Sequence, residues 1–362
     1  HQEENLRKLR GLTVIVAGDG RCDSPGFSAK YGTYTLMDLK TNLILDFYIT
    51  QCTEAGNSVN MEKYGLKKCI EHLLASNVSI DTLTTDKHIQ IRSVLKKEYP
   101  EINHQFDVRH IGKSVGKKIS QKSKVKGCEK LKDWRKSIVN HLWYSCATCD
   151  GDEDILIECW VSVLQHISNV HVFPGNHVTE CRHGVLGEEI QRKTKWLKPN
   201  SAANLALKEI VINPRLLKDI RQCSKFCHTG NLESYYSLML KYCPKRLHYS
   251  RAVMNARTQL AALDHNFNVN RSQAIIKKGQ RKGEARYRTE CPKMSKEWVA
   301  KKVYEEKSYE HVHKLMDSAA FSLKNNHLPE RPVKRSLPKN ISGKEKPNKE
   351  EIIRKRVSRF SS

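Results

Sequence analysis

The chain has 362 residues, of which 64 are Lys or Arg, 39 are Asp or Glu and 38% are hydrophobic, with a formal net charge of +25. This length allows one large domain or two ordinary ones. The sequence lacks both an uncharged apolar run of about 18 residues and a charged start followed by an apolar run, which argues against a membrane span and a signal peptide. We therefore expect no membrane partner. Whether a further module precedes His1 is left open.

The excess of positive charge favours a polyanionic partner, for which nucleic acid is the usual choice. Twelve cysteines are spread thinly along the chain, which fits a reducing compartment better than a disulfide framework. The charge is concentrated in two segments. Residues 108–136 hold 11 Lys or Arg against 2 acids, and residues 277–362 hold 24 against 11.

The order of predicted elements is taken from hydrophobic periodicity and turn residues. A buried strand, Thr13 to Ala17, is predicted to end in a turn at Gly18-Asp19-Gly20. A hairpin, a helix, a strand, a second helix and a fifth strand follow, at Tyr31–Met37 with Leu43–Thr50, Met61–Leu74, Ser79–Thr85, His88–Tyr99 and Ile102–Val108. Three meandering strands followed by β-α-β units predict an α/β fold, a mixed sheet with helices on both faces.

The segment from Arg109 to Cys227 has mostly helical spacing and is too long for a connector. We therefore predict a core at residues 1–113, a helical insertion at 114–228, closing helices at 229–275 and a basic extension at 276–362. Beyond about residue 330 the composition is typical of disorder. Its basic residues Arg354, Lys355, Arg356 and Arg359 can serve as a nuclear localisation patch, or simply as a solvated tail.

Two acids follow predicted strands that can lie side by side. Asp19 follows the first strand and Asp86 the fourth, so their carboxylates would meet at neighbouring strand ends. Such a pair repels unless a cation fills it, and oxygen ligands favour Mg²⁺ or Mn²⁺. Two such ions can clamp both oxygens of a phosphodiester displacement. Glu233 is the candidate third acid. Singly, each residue also fits a turn former or an acid favoured by a helix dipole.

Four longer strings carry a resemblance: GDGRCDSPG, TTDKH, FDVRHIGK and GNLESYYSLMLKYCPKR, which start at residues 18, 84, 106 and 230. Together they resemble the Kolobok family of cut-and-paste DNA transposases, over about residues 13–271. The element order resembles the RNase H-like fold.

The resemblance implies a DDE catalytic domain in which Asp19, Asp86 and Glu233 bind two divalent ions. Asp23 is a rival for the first position. Asp107 and His110 match a D-x-x-H signature and would shape the site or hold DNA, although a strand end and a helix start explain them equally well.

The implied reaction cuts a phosphodiester with an activated water, after which the freed 3′-hydroxyl attacks target DNA. DNA is thus the expected substrate, rather than a small molecule, and the resemblance implies a homo-oligomer on DNA. Two alternatives stay open: a domesticated DNA-binding protein without catalytic activity, and an RNase H-like nuclease.

The insertion contains a candidate zinc site and a candidate DNA contact. Cys146-x-x-Cys149 with Cys181-x-His183 makes a plausible structural Cys₃His site, with His171 and His177 as spare ligands. The alternative is that the first two cysteines are simply buried. Six lysines that follow the D-x-x-H signature are expected to contact the DNA backbone: Lys113, Lys117, Lys118, Lys122, Lys124 and Lys126.

Overall fold

A computed structural model of the protein describes residues 1–24, 29–293, 296–325 and 347–356. The first half of the chain forms α1 (Gln2–Lys8), β1 (Thr13–Cys22), β2 (Tyr31–Asp38), β3 (Ile44–Gln51), α2 (Met61–Ala75), β4 (Ser79–Thr85), α3 (Ile89–Glu98), β5 (Asn103–Phe106), α4 (Val108–Lys122), α5 (Leu131–Thr148), α6 (Glu153–Val161) and α7 (Val163–His166). The second half forms α8 (Glu188–Lys193), α9 (Ala202–Val211), α10 (Pro214–Arg221), α11 (Gly230–Tyr242), α12 (Arg251–Asn268), β6 (Tyr287–Glu290), β7 (Val299–Lys302), α13 (Glu310–Lys324) and α14 (Lys349–Arg354).

The first five strands form one mixed sheet in the order β3-β2-β1-β4-β5. β1 pairs antiparallel with β2 and parallel with β4, and β5 pairs parallel with β4. The predicted element order and mixed sheet are confirmed.

The end of the first strand differs from the prediction. β1 does not stop at Gly18-Asp19-Gly20 but continues to Cys22, because Gly18 to Cys22 pair with Leu36 to Gly32 of β2. On the other side, pairing with β4 ends at Ala17 opposite Thr84. The last five residues of β1 therefore extend beyond the parallel half of the sheet, and Asp19 lies within this extension.

Helices cover both faces of the sheet. α2 and α3 pack on one face, where Val14, Val16 and Leu36 are buried, and α11 and α12 pack on the other, over Ala17 and Met37. This division follows the alternation of side chains along a strand. Burial of these apolar side chains is the main source of stability for such a layered fold.

The helices from α4 to α10 form a body with a core of its own, in which Trp160 is fully buried and donates its indole N–H to the carbonyl oxygen of Val211 at 3.0 Å. α4 runs through residues 113 and 114, so the boundary predicted there falls inside a helix. After α10 the chain returns from this body and runs beside β5. There the N–H of Phe106 donates to the carbonyl oxygen of Gln222 at 2.6 Å.

The C-terminal part is more loosely attached. β6 and β7 form a separate two-stranded sheet of mostly exposed residues, and α14 has no buried residue. The disorder predicted after about residue 330 falls mainly on residues outside those described, as does Arg359. Of the helices in the described ranges, none has the length and hydropathy needed to cross a membrane.

Gly65 allows α2 to pack closely on β2, and a larger residue at this position should lower stability. A Cβ added at Gly65 would lie 2.7 Å from the Cβ of Tyr34, which the backbone of β2 holds in place. We expect Gly65→Ala to lower the free energy of unfolding by about 1–3 kcal/mol, because overpacking outweighs the helix propensity of alanine. Urea unfolding measures the change.

Gly116→Ala in α4 is the matched control. Its added Cβ would meet only the ends of the Arg135 and Val139 side chains, at 3.3 Å and beyond, and these can move. We expect this variant to be as stable as the parent or more stable by up to about 1 kcal/mol. Equal destabilisation of the two variants would contradict the assignment of Gly65 to a close approach of helix and sheet.

Candidate active site

Asp19 and Asp86 occupy matching positions on neighbouring parallel strands. The last paired residues of β1 and β4 are Ala17 and Thr84, and each aspartate lies two residues beyond its own strand's member of that pair. Ala17 packs under α11 and α12, so the alternation of side chains places Asp19 on the same face of the sheet. The register therefore brings the two carboxylates together at the end of the parallel half of the sheet.

Burial and repulsion act on the Asp19 carboxyl group. They raise its pKa from 3.8 to about 7, with burial the largest cause, followed by the negative charge of Asp86 and smaller contributions from Glu62 and Asp107. A hydrogen bond from Gly20 N–H at 2.8 Å acts in the opposite direction. Within the described residues Asp19 has no ion-pair partner. Such a carboxylate is a ready ligand for a cation, because a cation removes the repulsion.

Asp86 belongs to a second, overlapping group. One ligand atom from each of Asp86, Asp107 and His110 lies within 4.8 Å of the others, and His110 Nε2 is 3.0 Å from Asp86 Oδ1. Burial raises the pKa of Asp86, and His110 opposes that rise. Asp86 and Asp107 come together because each lies one residue beyond the last pair of β4 and β5, Thr85 opposite Phe106.

The carboxylate of Asp107 is fully buried and already satisfied. Its Oδ1 accepts the N–H of Arg109 at 2.7 Å as the N-cap of α4. Its Oδ2 accepts the hydroxyl of Thr229 at 2.6 Å and the backbone N–H of Thr229 at 3.2 Å. Asp107 thus fastens the start of α4 to the start of α11. It positions the residues around it, and its oxygens are less available to a cation than those of Asp19 and Asp86.

Glu233 lies in the first turn of α11, outside the group of Asp86, Asp107 and His110. Its carboxylate forms an ion pair with Arg109 in the first turn of α4. One turn further along α11, the hydroxyl of Tyr236 donates to the backbone carbonyl of Asp19. α11 therefore passes directly over Asp19, on the face to which the Asp19 side chain points.

Glu62 is a further acid at the site, which was not predicted from the sequence. Glu62 is in the first turn of α2, and burial raises its pKa, an effect to which Asp86 adds. Its side chain fills the space beside Gly20, where an added Cβ would lie 2.6 Å from Glu62 Cγ. Glu62 approaches from the α2 face, opposite α11. An acid in a first helical turn is common, so the sequence offered no signal that singled it out.

Asp23, the rival for the first position, lies in the turn after β1. Its carboxylate accepts the backbone N–H of Lys30 at 3.1 Å and the hydroxyl of Ser24 at 3.3 Å. These contacts are those of a turn-forming aspartate. The structure does not bring Asp23 into the group around Asp86.

A cleft of about 340 Å³ beside Asp86 and His110 is also lined by Lys87 and Lys118. Lys113, Lys117 and Lys118 are exposed on α4, which begins at the site, and the charge of Lys113 lowers the pKa of Asp86. Lys122 pairs with Glu209, and Lys124 and Lys126 are exposed beyond the end of α4. The acidic site thus lies next to a row of lysines.

The structure divides the four residues of the predicted zinc set. Cys146 and Cys149 are buried in the core of the helical body, where the carbonyl oxygens of Cys146 and Ser224, 3.3 and 3.2 Å from Cys149 Sγ, share the single thiol proton. Cys181 and His183 lie instead in a group with His166 and His171. The CxxC spacing has an explanation without a metal: both cysteines lie at the C-terminal end of α5 and are buried there.

Comparisons with known proteins identify no family. No family model matches the sequence, and none of the curated proteins matches it. Among solved structures, the chain is similar to a Drosophila P element transposase strand transfer complex, with a TM-score of 0.34 and 12% identity over 75% of this chain and 79% of that chain. Agreement at this level is too low to support an argument, so function has to be argued from the site itself.

The Asp19 carboxyl group makes stability depend on pH. Its pKa is 3.8 when exposed and about 7 in the folded protein. The folded state therefore binds more protons than the unfolded state between these values, and stability falls as pH rises from about 4 to about 7. We expect Asp19→Asn to be more stable than the parent at pH 8 by about 2–4 kcal/mol, with the difference vanishing near pH 4. Urea unfolding across this range, without added divalent ions, measures it.

Added Mn²⁺ is the control for this prediction. It should stabilise the parent at pH 8 and have little effect on Asp19→Asn, because the variant has lost the carboxylate that the ion neutralises. A stability difference that stays constant from pH 4 to pH 8 would contradict the assignment.

Proposed function

We propose that this chain is the catalytic domain of a DNA transposase of the DDE type, resembling the Kolobok family, which hydrolyses phosphodiesters and transfers DNA strands. The observation that carries the proposal is the matched position of Asp19 and Asp86 on neighbouring parallel strands, next to a lysine-rich helix that begins at the site. Carboxylates held together in this way favour divalent cations, and lysines favour the phosphates that such cations act on.

The residues present fit Mg²⁺ or Mn²⁺. Asp19 and Asp86 supply oxygen ligands, and the raised pKa of Asp19 reflects a burial and a repulsion that a cation would relieve. Bound ions of this kind would polarise the phosphate and activate the attacking oxygen. In the same proposal Asp107 holds α4 and α11 in place, and His110 orients Asp86 through its Nε2.

Glu233 is proposed as the third acid. Its support is the side of the sheet from which it approaches: α11 packs on the face to which Asp19 points, and Tyr236 contacts Asp19 one turn beyond Glu233. The Arg109 guanidinium holds Glu233 in the structure. For Glu233 to bind an ion, Arg109 would release it, and the freed guanidinium could then pair with a phosphate.

A second candidate function rests on Glu62. With Asp19 and Asp86 this residue completes an acidic group from the α2 side, without Glu233. That arrangement would suit a nuclease that hydrolyses DNA or RNA and joins no ends. A third candidate is a domesticated DNA-binding protein, for which the lysines of α4 suffice.

Further features belong to the same proposal. The core would be RNase H-like, interrupted by the insertion at about residues 114–228 and closed by residues 229–275. The partners would be element ends and target DNA, bound by a homo-oligomer in the nucleus. The mixed sheet supports the expected fold class, and the basic segments support the expectation of a DNA partner.

The decisive experiment is a cleavage and joining assay with Mn²⁺, a labelled DNA duplex and a supercoiled plasmid target. We expect the parent to nick the duplex and to join its 3′ ends to the plasmid. Asp19→Asn and Asp86→Asn should each reduce both reactions by at least about 100-fold, because each removes a ligand that acts on the transition state. Asp23→Asn, outside the group, should retain both.

Two glutamate variants separate the candidate functions. Loss of activity in Glu233→Gln but not in Glu62→Gln supports the transposase proposal, whereas the reverse result without joined products supports the nuclease. Cleavage that persists in both aspartate variants would show that the site is wrongly placed. Salt-sensitive binding by a parent that never cuts would favour the DNA-binding alternative.

The lysines of α4 allow an independent test of DNA binding. The triple variant Lys113→Gln, Lys117→Gln, Lys118→Gln should weaken binding to duplexes of any sequence. It should also lower the slope of log affinity against log salt by about 2–3, because each phosphate contact contributes about 0.9. Fluorescence anisotropy at several salt concentrations measures both. Lys96→Gln with Lys97→Gln, exposed at the far end of α3, should change neither.

A further inference from the structure

The helical body holds a second group of metal-ligating side chains, none of which belongs to the acidic site. One ligand atom from each of His166, His171, Cys181 and His183 lies within 4.8 Å of all the others. His166 ends α7, and the other three lie in the irregular segment between α7 and α8. The sequence predicted Cys181 and His183 as ligands and His171 as a spare, and it missed His166, which belongs to α7.

The distances within the group match those around a tetrahedral zinc ion. The Nδ1 atoms of His166 and His171 are 3.3 and 3.4 Å from Cys181 Sγ. Zn–N bonds of about 2.0 Å and a Zn–S bond of about 2.3 Å at tetrahedral angles give an N···S separation of about 3.5 Å. The centroids of the three imidazole rings are 4.9–5.3 Å apart, and the rings stand at 74–82° to one another. Rings arranged in this way can all direct a nitrogen toward one point.

The second ring nitrogens of His171 and His183 have partners that orient these ligands. His171 Nε2 lies 3.0 Å from Asn169 Oδ1, and His183 Nδ1 lies 2.8 Å from the carbonyl oxygen of Gly184. Histidines that bind a metal usually donate their other N–H to such an oxygen, which sets the tautomer. These contacts leave Nδ1 of His171 and Nε2 of His183 available as ligand atoms.

The contacts of two rings converge on one sulfur. The Nδ1 atoms of His166 and His171 both approach Cys181 Sγ, as ligands that surround one ion do. Neutral imidazoles beside a thiol form a donor set typical of zinc.

We propose that His166, His171, Cys181 and His183 bind one structural zinc ion. Four protein ligands close the tetrahedral shell and leave no open position for water or substrate, so the ion is not catalytic. Its role follows from the chain around it. Residues 167–187 contain no helix, and the pairing of Val172 with Glu180 is an isolated bridge. The ion would fasten this loop to α7.

Fastening the loop also completes a cavity. A space of about 540 Å³ lies between α5, α6 and the loop. Its walls include Trp134, Phe173, Val178 and three of the proposed ligands, His166, Cys181 and His183. Trp134 and Trp196 pack against His166, with ring centroids 6.2 and 5.9 Å from it. Loss of the ion would therefore loosen one wall of the cavity and alter the surroundings of two tryptophans.

Metal content of the purified full chain tests the proposal. We expect one zinc per chain in the parent and in Asp86→Asn, and a loss of at least about tenfold in His183→Ala. His183 is exposed, and its removal takes little packing away, so this variant should still fold. His177→Ala, an exposed histidine of the same loop outside the group, is the matched control and should retain the ion. Cys149→Ala should also retain it if it folds.

Cobalt and proteolysis add readouts that do not depend on zinc content. Co²⁺ added to the stripped parent should give the visible absorption of a tetrahedral site with a thiolate ligand, and Cys181→Ser should lack its sulfur charge-transfer band. Stripping should also change tryptophan fluorescence and open residues 167–187 to protease. A parent without zinc or Co²⁺ absorption would overturn the proposal. So would equal zinc in His183→Ala and His177→Ala, or zinc lost in Asp86→Asn alone.

Discussion

The arrangement of this protein depends on one buried carboxylate. Asp107 follows β5, caps α4 through the N–H of Arg109 and accepts two hydrogen bonds from Thr229, the residue before α11. Three hydrogen bonds offset the cost of burying its charge. Because α4 carries Arg109 and His110 and α11 carries Glu233, this single side chain sets where both helices begin relative to Asp86. It also joins the two ends of the long helical segment, 122 residues apart in sequence.

The site combines charges that a stable fold would ordinarily keep apart. Asp19, Asp86 and Glu62 lie near one another, and burial raises the pKa of each. The protein opposes their repulsion with His110 beside Asp86 and with lysines along α4. Such a balance costs stability and makes sense where a cation and a phosphate are to be bound. The polar groups are carried by strand ends and first helical turns, which the packed faces of the sheet hold in place.

The secondary structure that depends on local sequence patterns could be predicted, whereas the features that depend on long-range contacts could not. Period-two and helical spacing located all five strands of the sheet and α2 and α3, because these patterns reflect which face of each element is buried. The continuation of β1 to Cys22 was missed for two reasons. The glycines at positions 18 and 20 favour a turn, and the strand continues only because these residues pair with β2. The Cys146-Cys149 spacing suggested metal ligands, yet the end of α5 turns both thiols into the helical core.

The sequence by itself determined the order of the elements, the positions of Asp19 and Asp86 just beyond the apolar residues of the first and fourth strands, and the concentration of lysines after the fifth strand. These follow from local burial, turn residues and charge. Only the tertiary structure decided which residues meet. It paired Glu233 with Arg109, brought Glu62 beside Asp19 from the other face and gathered His166 and His171 with Cys181 and His183. Such meetings depend on how helices and loops pack over a sheet, which spacing along the chain does not encode.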